Sequence, residues 1–239
     1  QVKAMLRDQP ENAMDMEILE DIPMEYLNME TVHGYRNRHK SLKSGHSFER
    51  YSDDEYLRSI GAAAIGGRDG KYHPTGAGLL MFGDEYNKII KEVKVPFKMV
   101  GGTRNDDTPV HKALQEALAN CLMNAGFYEP RGVVIKLENH RLTLENLGYI
   151  RVGKKKIRLG GVSDPRNKGL MKMFNMIDIG ERTGSRVPDI FNVWDDEGFE
   201  APEIIEEFGP DRTRLILPFE KNTRKKRRKA YILQNKGAA

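Results

Sequence analysis

The segment from Asp107 to Gly126 constrains the fold of this chain most, because it predicts a long helix with one buried face. Its apolar residues recur at helical spacing, so that stripe belongs to the core of a folded domain. Thr108 or Asp107 can serve as the N-cap, and Pro109 suits the first helical position. The sequence therefore predicts a capped, amphipathic helix over about 108–126.

Beside the apolar stripe, this helix carries a row of polar residues. Glu116, Asn120 and Asn124 are spaced four residues apart, so their side chains stack on neighbouring turns. An acid and an amide one turn apart can together hold a hydrated magnesium ion and polarise a water molecule. An exposed polar helix face would explain the same spacing, so the residues alone leave both interpretations open.

The second half of the chain alternates between helical and extended patterns. RGVVIKLE and RLTLEN predict a β-hairpin that turns at Asn139 and His140. Short links between helices and antiparallel strands are typical of an α+β fold. Further predicted elements are a strand in VPFKMV, a helix over 164–179 with a core stripe of Leu170, Met173, Phe174 and Ile177, a helix in VPDIFNVWDDEG and a strand in TRLILPF.

The first half of the chain predicts mainly helices. Residues 1 to about 50 have a helical, linker-like pattern, and residues 52–66 predict a helix capped by Ser52. A glycine-containing turn follows. After it, TGAGLLMFG predicts a tightly packed helix.

Positive charge is concentrated at the end of the chain. The run from Lys221 to Lys229 holds seven basic residues and no acidic residue, whereas the net charge of the whole chain is only +4. The body is therefore not an intrinsically basic nucleic-acid binder, and phosphate attraction is predicted for the run itself. Its candidate contacts are Arg224, Lys225, Lys226, Arg227 and Arg228, although a solvated basic run would have the same composition.

Several classes of protein are excluded by the sequence. No apolar run approaches the ~18 residues that a membrane span needs. GGRDGKY lacks the spacing of a phosphate-binding P-loop, and H-E-x-x-H, C-x-x-C and G-x-S-x-G are absent. The single cysteine, Cys121, lies on the apolar helix face, which favours a buried thiol and a reducing cytoplasm.

Several motifs together resemble one known family. PVHKALQEALANCLMNA, the strand pair ending in ENLG, GGVSDPRNKGLMKMF, IGERTGSR and PDRTRLILPF occur in the order found in the RecG-related transcriptional regulators. The C-terminal domain of these proteins is similar to the histidine-kinase-like (GHKL) ATPase fold. The resemblance implies a helical linker region over 1–87 that follows a missing or truncated AlbA-like DNA-binding domain, a GHKL-like α/β sandwich over 88–219 and a basic tail over 220–239.

The resemblance also implies roles for the polar residues of the predicted helix. Asn120 would ligate Mg²⁺, and Glu116 would orient or deprotonate the attacking water. Asn124 would line the cofactor pocket at a position where the family favours His. These roles are expectations from the family, matched to this chain residue by residue.

Two further motifs would complete an ATP site. The family's Asp-x-Gly motif, whose carboxylate accepts a hydrogen bond from adenine, corresponds to Asn146 and Gly148, so the acceptor is here uncharged. A glycine-rich phosphate lid corresponds to Gly180, Gly184 and Ser185, with Arg186 where the family expects another glycine. These departures weaken the expected site.

Asp164 or Ser163 can cap the helix predicted over 164–179, with Pro165 at its first position. Arg166 beside them is a candidate phosphate or DNA contact.

The resemblance implies a cytoplasmic, homo-oligomeric regulator that binds ATP and Mg²⁺ and reaches DNA through an attached domain or the basic tail. Such a protein would be at most a slow ATPase, and helicase motor motifs are absent. An alternative is a non-catalytic, dimerising scaffold with a degenerate nucleotide pocket that presents DNA-binding domains. A toxin- or defence-linked effector module is a third possibility.

Overall fold

The structure is a computed structural model that describes residues 14–83, 108–127, 132–160, 164–179, 186–209 and 211–222. Its described part is a mixture of helices and antiparallel sheets, which confirms the α+β class. The helices are α1 (Met29–Leu42), α2 (Asp53–Ile60), α3 (Gly76–Phe82), α4 (Pro109–Met123), α5 (Lys154–Leu159), α6 (Lys168–Met176) and α7 (Arg186–Asp196). The strands are β1 (Ala63–Ile65), β2 (Tyr72–Pro74), β3 (Val134–Glu138), β4 (Arg141–Leu147), β5 (Glu203–Glu207) and β6 (Arg212–Pro218).

The larger sheet has four antiparallel strands in the order β3-β4-β6-β5. β4 and β6 pair along their whole lengths, from Arg141 opposite Pro218 to Leu147 opposite Arg212. The predicted hairpin between β3 and β4 is confirmed. Its turn residues Asn139 and His140 have φ values of 46° and 60°, a left-handed conformation that suits a two-residue hairpin loop.

The smaller sheet replaces part of a predicted helix. The predicted helix over 52–66 begins as expected, with a reciprocal capping box between Ser52 and Glu55. It ends at Ile60 because Gly61 turns the backbone to a φ of 89°. The next residues form β1, which pairs antiparallel with β2, so the prediction was wrong for 61–66.

The core lies around helix α4, which packs against helices α6 and α7 and against strand β4. Leu122, Phe174 and Trp194 are fully buried there. The predicted stripe of α6 is also buried, with exposures of at most 6% for Leu170, Met173, Phe174 and Ile177. This helix begins later than predicted, because Asn167 occupies its N-cap position.

Residues 14–83 pack directly against α6. The Tyr35 hydroxyl donates a 2.7 Å hydrogen bond to the carbonyl of Met173. Gly169, in the first turn of α6, lies so close to Ala77 and Met16 that a Cβ would be 2.7 Å or less from a side-chain atom of each. The segment expected to be linker-like therefore shares a hydrophobic core with the second half of the chain.

Besides β1 and β2, which were predicted as helix and turn, two further elements were not predicted, namely the six-residue helix α5 and the edge strand β5. The strand predicted in VPFKMV lies outside the described residues. No helix within the described ranges is long and apolar enough to cross a bilayer.

Candidate functional site

Helix α4 positions the polar row that the sequence singled out. The Thr108 side chain accepts a 3.2 Å hydrogen bond from the backbone N–H of His111, and Pro109 follows the cap. Ala117 and Cys121 face the core, whereas the polar row is half-buried. Burial raises the pKa of the Cys121 thiol to about 12, so this cysteine is a structural residue and not a nucleophile.

The carboxylate and the first amide of the row are directly paired. The Asn120 Nδ2 donates to Glu116 Oε1 at 3.1 Å and to the Glu116 carbonyl at 3.0 Å. Both bonds use the amide nitrogen, so the amide oxygen of Asn120 is the atom chemically suited to a hard cation. The bonds also fix the rotamers of the two side chains relative to each other.

The hydrogen-bonded series continues from the helix to the sheet. The Asn124 Nδ2 donates to the Asn120 carbonyl at 2.9 Å, and the Asn146 Nδ2 donates to the Asn124 carbonyl at 3.3 Å. Asn146 lies on β4, is buried and also donates to the Leu147 carbonyl at 3.2 Å. The structure therefore brings together Glu116, Asn120, Asn124 and Asn146, which are 30 residues apart at most in the sequence.

Gly148, just beyond β4, lies under a guanidinium group. It has a φ of 109°, and a Cβ at this position would be 2.5 Å from Nε of Arg166. The Arg166 guanidinium also lies 5.3 Å from the centre of the Tyr149 ring. Arg166, the candidate phosphate contact, therefore lies beside Gly148, the glycine of the candidate adenine-binding motif.

A buried asparagine that the sequence analysis missed fixes the end of α4. Asn167 Nδ2 donates to the carbonyls of Leu122 and Ala125 at 2.9 and 2.8 Å, and its backbone N–H donates to the Met123 carbonyl at 2.9 Å. These bonds satisfy carbonyls that a helix end leaves unpaired. The signal in the sequence, an Asn before a helix, is typical of an ordinary cap, so it could not reveal this longer-range role.

The neighbour of Asn146 on β4 belongs to a separate ionic cluster. Glu145 is buried and pairs with Arg212, and its Oε2 accepts a 2.6 Å bond from Nε of Arg214. Adjacent residues in a strand point to opposite faces, so this cluster lies on the other side of the sheet from Asn146. It joins β4 to β6, and its two guanidinium groups, those of Arg212 and Arg214, lie on the face of the sheet away from Asn146.

The phosphate-lid residues Gly180, Gly184 and Ser185 lie outside the described residues, as do the nucleic-acid candidates Arg224, Lys225, Lys226, Arg227 and Arg228.

Within the described ranges, no group of three or more His, Cys, Asp or Glu residues could hold a metal ion. A magnesium ion bound through one amide oxygen, water and phosphates would not need such a group.

Comparison with known proteins gives a fold relationship and no activity. Residues 3–95 match the sequence model of a domain of unknown function, DUF8451. The chain is similar to the crystal structure of the DIP2311 protein from Corynebacterium diphtheriae, with a TM-score of 0.60 and 13% identity. The similarity covers 87% of this chain and 47% of that protein, so the chain spans about half of its length. No curated protein matches the sequence.

Proposed function

We propose that this chain carries the GHKL-like nucleotide-binding module of a DNA-associated transcriptional regulator. The observation that carries the proposal is the hydrogen-bonded series from Glu116 through Asn120 and Asn124 to Asn146. It joins an acid and three amides from a helix and a neighbouring strand. Glu116 and Asn120 are joined side chain to side chain, whereas Asn124 and Asn146 are joined to the row through backbone carbonyls at the end of α4.

The donor set suits magnesium and a triphosphate. Asn120 would offer its amide oxygen to the cation, since its nitrogen is bonded to Glu116. Glu116 would accept a proton from a water molecule, or orient that water, at its half-buried position. Bound magnesium would supply neutralisation of the phosphate charge.

The base end of the nucleotide would lie at the end of β4. Asn146 would accept a hydrogen bond from an adenine amine through its oxygen, because its nitrogen donates to two carbonyls. This bond lacks the charge of the family's carboxylate, so we expect weak nucleotide affinity and, at most, slow hydrolysis.

The wider role is part of the same proposal. The four-stranded antiparallel sheet with helix α4 against β4 supports a GHKL-like sandwich. DNA would be reached through an attached domain or the basic tail, and nucleotide occupancy would shift the population of a homo-oligomer. A cytoplasmic location would agree with the buried, unpaired thiol of Cys121.

The decisive experiment is calorimetric titration of the full chain with ATP, with and without Mg²⁺. We expect binding that needs Mg²⁺, and we expect Asn120→Ala to weaken it by about tenfold or more, since one charge-assisted ligand is lost. Asn37→Ala is the matched control, because Asn37 is an exposed asparagine on α1. Glu116→Gln should retain binding and lose any phosphate release.

Two results would contradict the proposal. One is equal Mg-ATP affinity in the native chain and Asn120→Ala. The other is an absence of binding for every nucleotide tested, in a sample whose circular dichroism shows that it is folded.

The second result would favour the alternative of a non-catalytic, dimerising scaffold. One contact favours that alternative, because the Arg166 guanidinium fills the space next to Gly148 that a nucleotide base would need. Light scattering of the full chain would then be expected to show a dimer whose mass does not change with nucleotide.

A further inference from the structure

A second basic surface lies on the folded body of the protein. Residues 151–159 read RVGKKKIRL and hold five basic residues and no acidic residue. The seven basic residues of 221–229 exceed the net charge of +4, so the rest of the chain is net acidic. These five basic residues therefore concentrate positive charge locally on a body that is otherwise net acidic.

The structure converts this run into a short helix with two glycine ends. Helix α5 lies between Gly153 and Gly160, whose φ values of 78° and 77° favour glycine. Ile157 is half-buried, and the Arg158 guanidinium lies 4.6 Å from the centre of the Phe191 ring on α7. The basic side chains therefore project from a helix that is held against the fold.

The charges of α5 are only partly neutralised. Lys154 lies 3.8 Å from Glu206, and Arg151 lies 3.6 Å from Asp164. Lys155 and Lys156 are exposed and form no ion pair with any described residue. Leu159, at the end of the helix, is 84% exposed, so the described residues leave this side of α5 open.

We propose that Lys155, Lys156 and Arg158, here called the α5 surface, bind the phosphate backbone of double-stranded nucleic acid. Exposed lysines are point charges that release counterions from a polyanion without reading its sequence. Their fixed position on a helix means that the contact orients the body of the protein on the duplex. The α5 surface shares the DNA partner with the proposed function but does not depend on the nucleotide site.

A membrane surface is the less favoured partner. Interfacial helices insert a broad apolar face, whereas α5 exposes a single large apolar residue, Leu159. Six residues also give a helix of little more than one and a half turns, at about 3.6 residues per turn. The chemistry of α5 therefore favours phosphate groups on a duplex.

The test is fluorescence anisotropy of a labelled 24-base-pair DNA duplex with the full chain at several salt concentrations. Lys155→Ala combined with Lys156→Ala should weaken binding roughly tenfold near 0.1 M salt and lower the salt slope by about two. The control combines Lys40→Ala with Lys71→Ala, which removes the same charge from exposed sites on α1 and beside β2. We expect the control to bind as the native chain does.

Equal affinity and salt slope in the α5 variant and the control would overturn the proposal. So would a loss confined to vesicles of phosphatidylserine and phosphatidylcholine, with DNA binding unchanged, because that result would assign the α5 surface to membranes. Calorimetry with Mg-ATP on the same α5 variant separates the two proposals. The α5 surface is supported if DNA binding falls while nucleotide binding, whether present or absent, matches that of the native chain.

Discussion

The carboxylate of Asp15 accepts a 2.9 Å hydrogen bond from the backbone N–H of Leu170, which lies 155 residues further along the chain. Asp15 is fully buried at the first turn of helix α6, where the helix dipole favours a negative charge. Its other oxygen, Oδ1, has no hydrogen-bond partner among the described residues. Burial therefore outweighs the backbone hydrogen bonds and raises the pKa of this carboxyl group.

Replacing Asp15 by asparagine should stabilise the protein at neutral pH. A carboxyl group with a raised pKa binds its proton more tightly in the folded state, so its contribution to stability falls as pH rises from the ordinary aspartate range. Asp15→Asn keeps an oxygen for the Leu170 N–H and removes the charge. Urea unfolding should show an advantage of Asp15→Asn over the native chain that grows from pH 4 to pH 7.

The control for this prediction is Asp15→Ala, which removes the same charge and also the hydrogen bond to Leu170, so it should be less stable than Asp15→Asn by about 1 kcal/mol or more at both pH values. A constant difference between Asp15→Asn and the native chain across this pH range would contradict the burial argument.

A close approach between α3 and Ala62, the residue before β1, predicts a severe effect of a small substitution. A Cβ on Gly78 would lie 1.8 Å from the backbone oxygen of Ala62, and a backbone atom cannot move aside cheaply. Gly78→Ala should lower the free energy of unfolding by about 3 kcal/mol through overpacking. Thermal unfolding followed by circular dichroism measures the change.

Gly34 on helix α1 is the matched control, because no described atom lies within 4 Å of a Cβ at this position. Gly34→Ala should instead stabilise the protein by about 0.5 to 1 kcal/mol, since alanine is the better helix former. Similar effects of the two substitutions would show that the contact between α3 and Ala62 is looser than the structure indicates.

Two alanine substitutions can separate the energetic effect of the Gly148–Arg166 contact from that of backbone strain. Gly148→Ala should displace the Arg166 guanidinium and also strain a backbone with positive φ. Gly153→Ala has the same kind of strain, with a φ of 78°, but no described atom within 4 Å of the new Cβ.

We expect Gly153→Ala to cost about 1 kcal/mol and Gly148→Ala to cost clearly more in urea unfolding. Equal costs would mean that Arg166 does not pack on Gly148 in solution.

The burial of His39 predicts a loss of stability in mild acid. Its Nδ1 lies 3.1 Å from the Tyr56 hydroxyl, and its Nε2 has no hydrogen-bond partner among the described residues. Burial, helped by the nearby charges of His46 and Lys43, lowers the pKa of His39. The folded state therefore binds this proton less tightly, and stability is lost as pH falls through the ordinary histidine range.

His39→Gln should lose less stability than the native chain between pH 7.5 and pH 5.5 in urea unfolding. The comparison of variants matters, because the hydrogen bond with Asp69 raises the pKa of His73 and gives a change of the opposite sign. A native chain and a His39→Gln variant with parallel pH profiles would refute the prediction. His73→Gln serves as the control and should make the acid loss larger.

The elements that the sequence predicted well are those whose local signals agree with their packing. Helix α4 has a cap and a proline at its start, and its apolar stripe packs into the core, with Cys121 and Leu122 buried and Leu114 and Leu118 partly buried. The β3–β4 hairpin turns at Asn139 and His140, two residues whose left-handed conformation fits the predicted loop. Local chemistry and tertiary contacts favour the same structure in both cases.

The elements that were missed depend on contacts that no local pattern encodes. Helix α5 has no apolar periodicity and is defined by Gly153, Gly160 and the contact of Arg158 with Phe191. Strand β5 is rich in glutamate, a weak strand former, and is held by its pairing with β6.

Of the candidate site, the row on α4 followed from helical spacing. The contacts of Asn146, Arg166 and Asn167 required the tertiary structure, because each joins residues from different elements.

The tethering of α6 has a consequence for communication along the chain. This helix is fastened to residues 14–83 at Leu170 and Met173, and Asn167 at its start holds the carbonyl end of α4. A continuous series of hydrogen bonds therefore joins the end of α4, through α6, to residues 14–83, and a displacement of α4 would have to break or move these bonds.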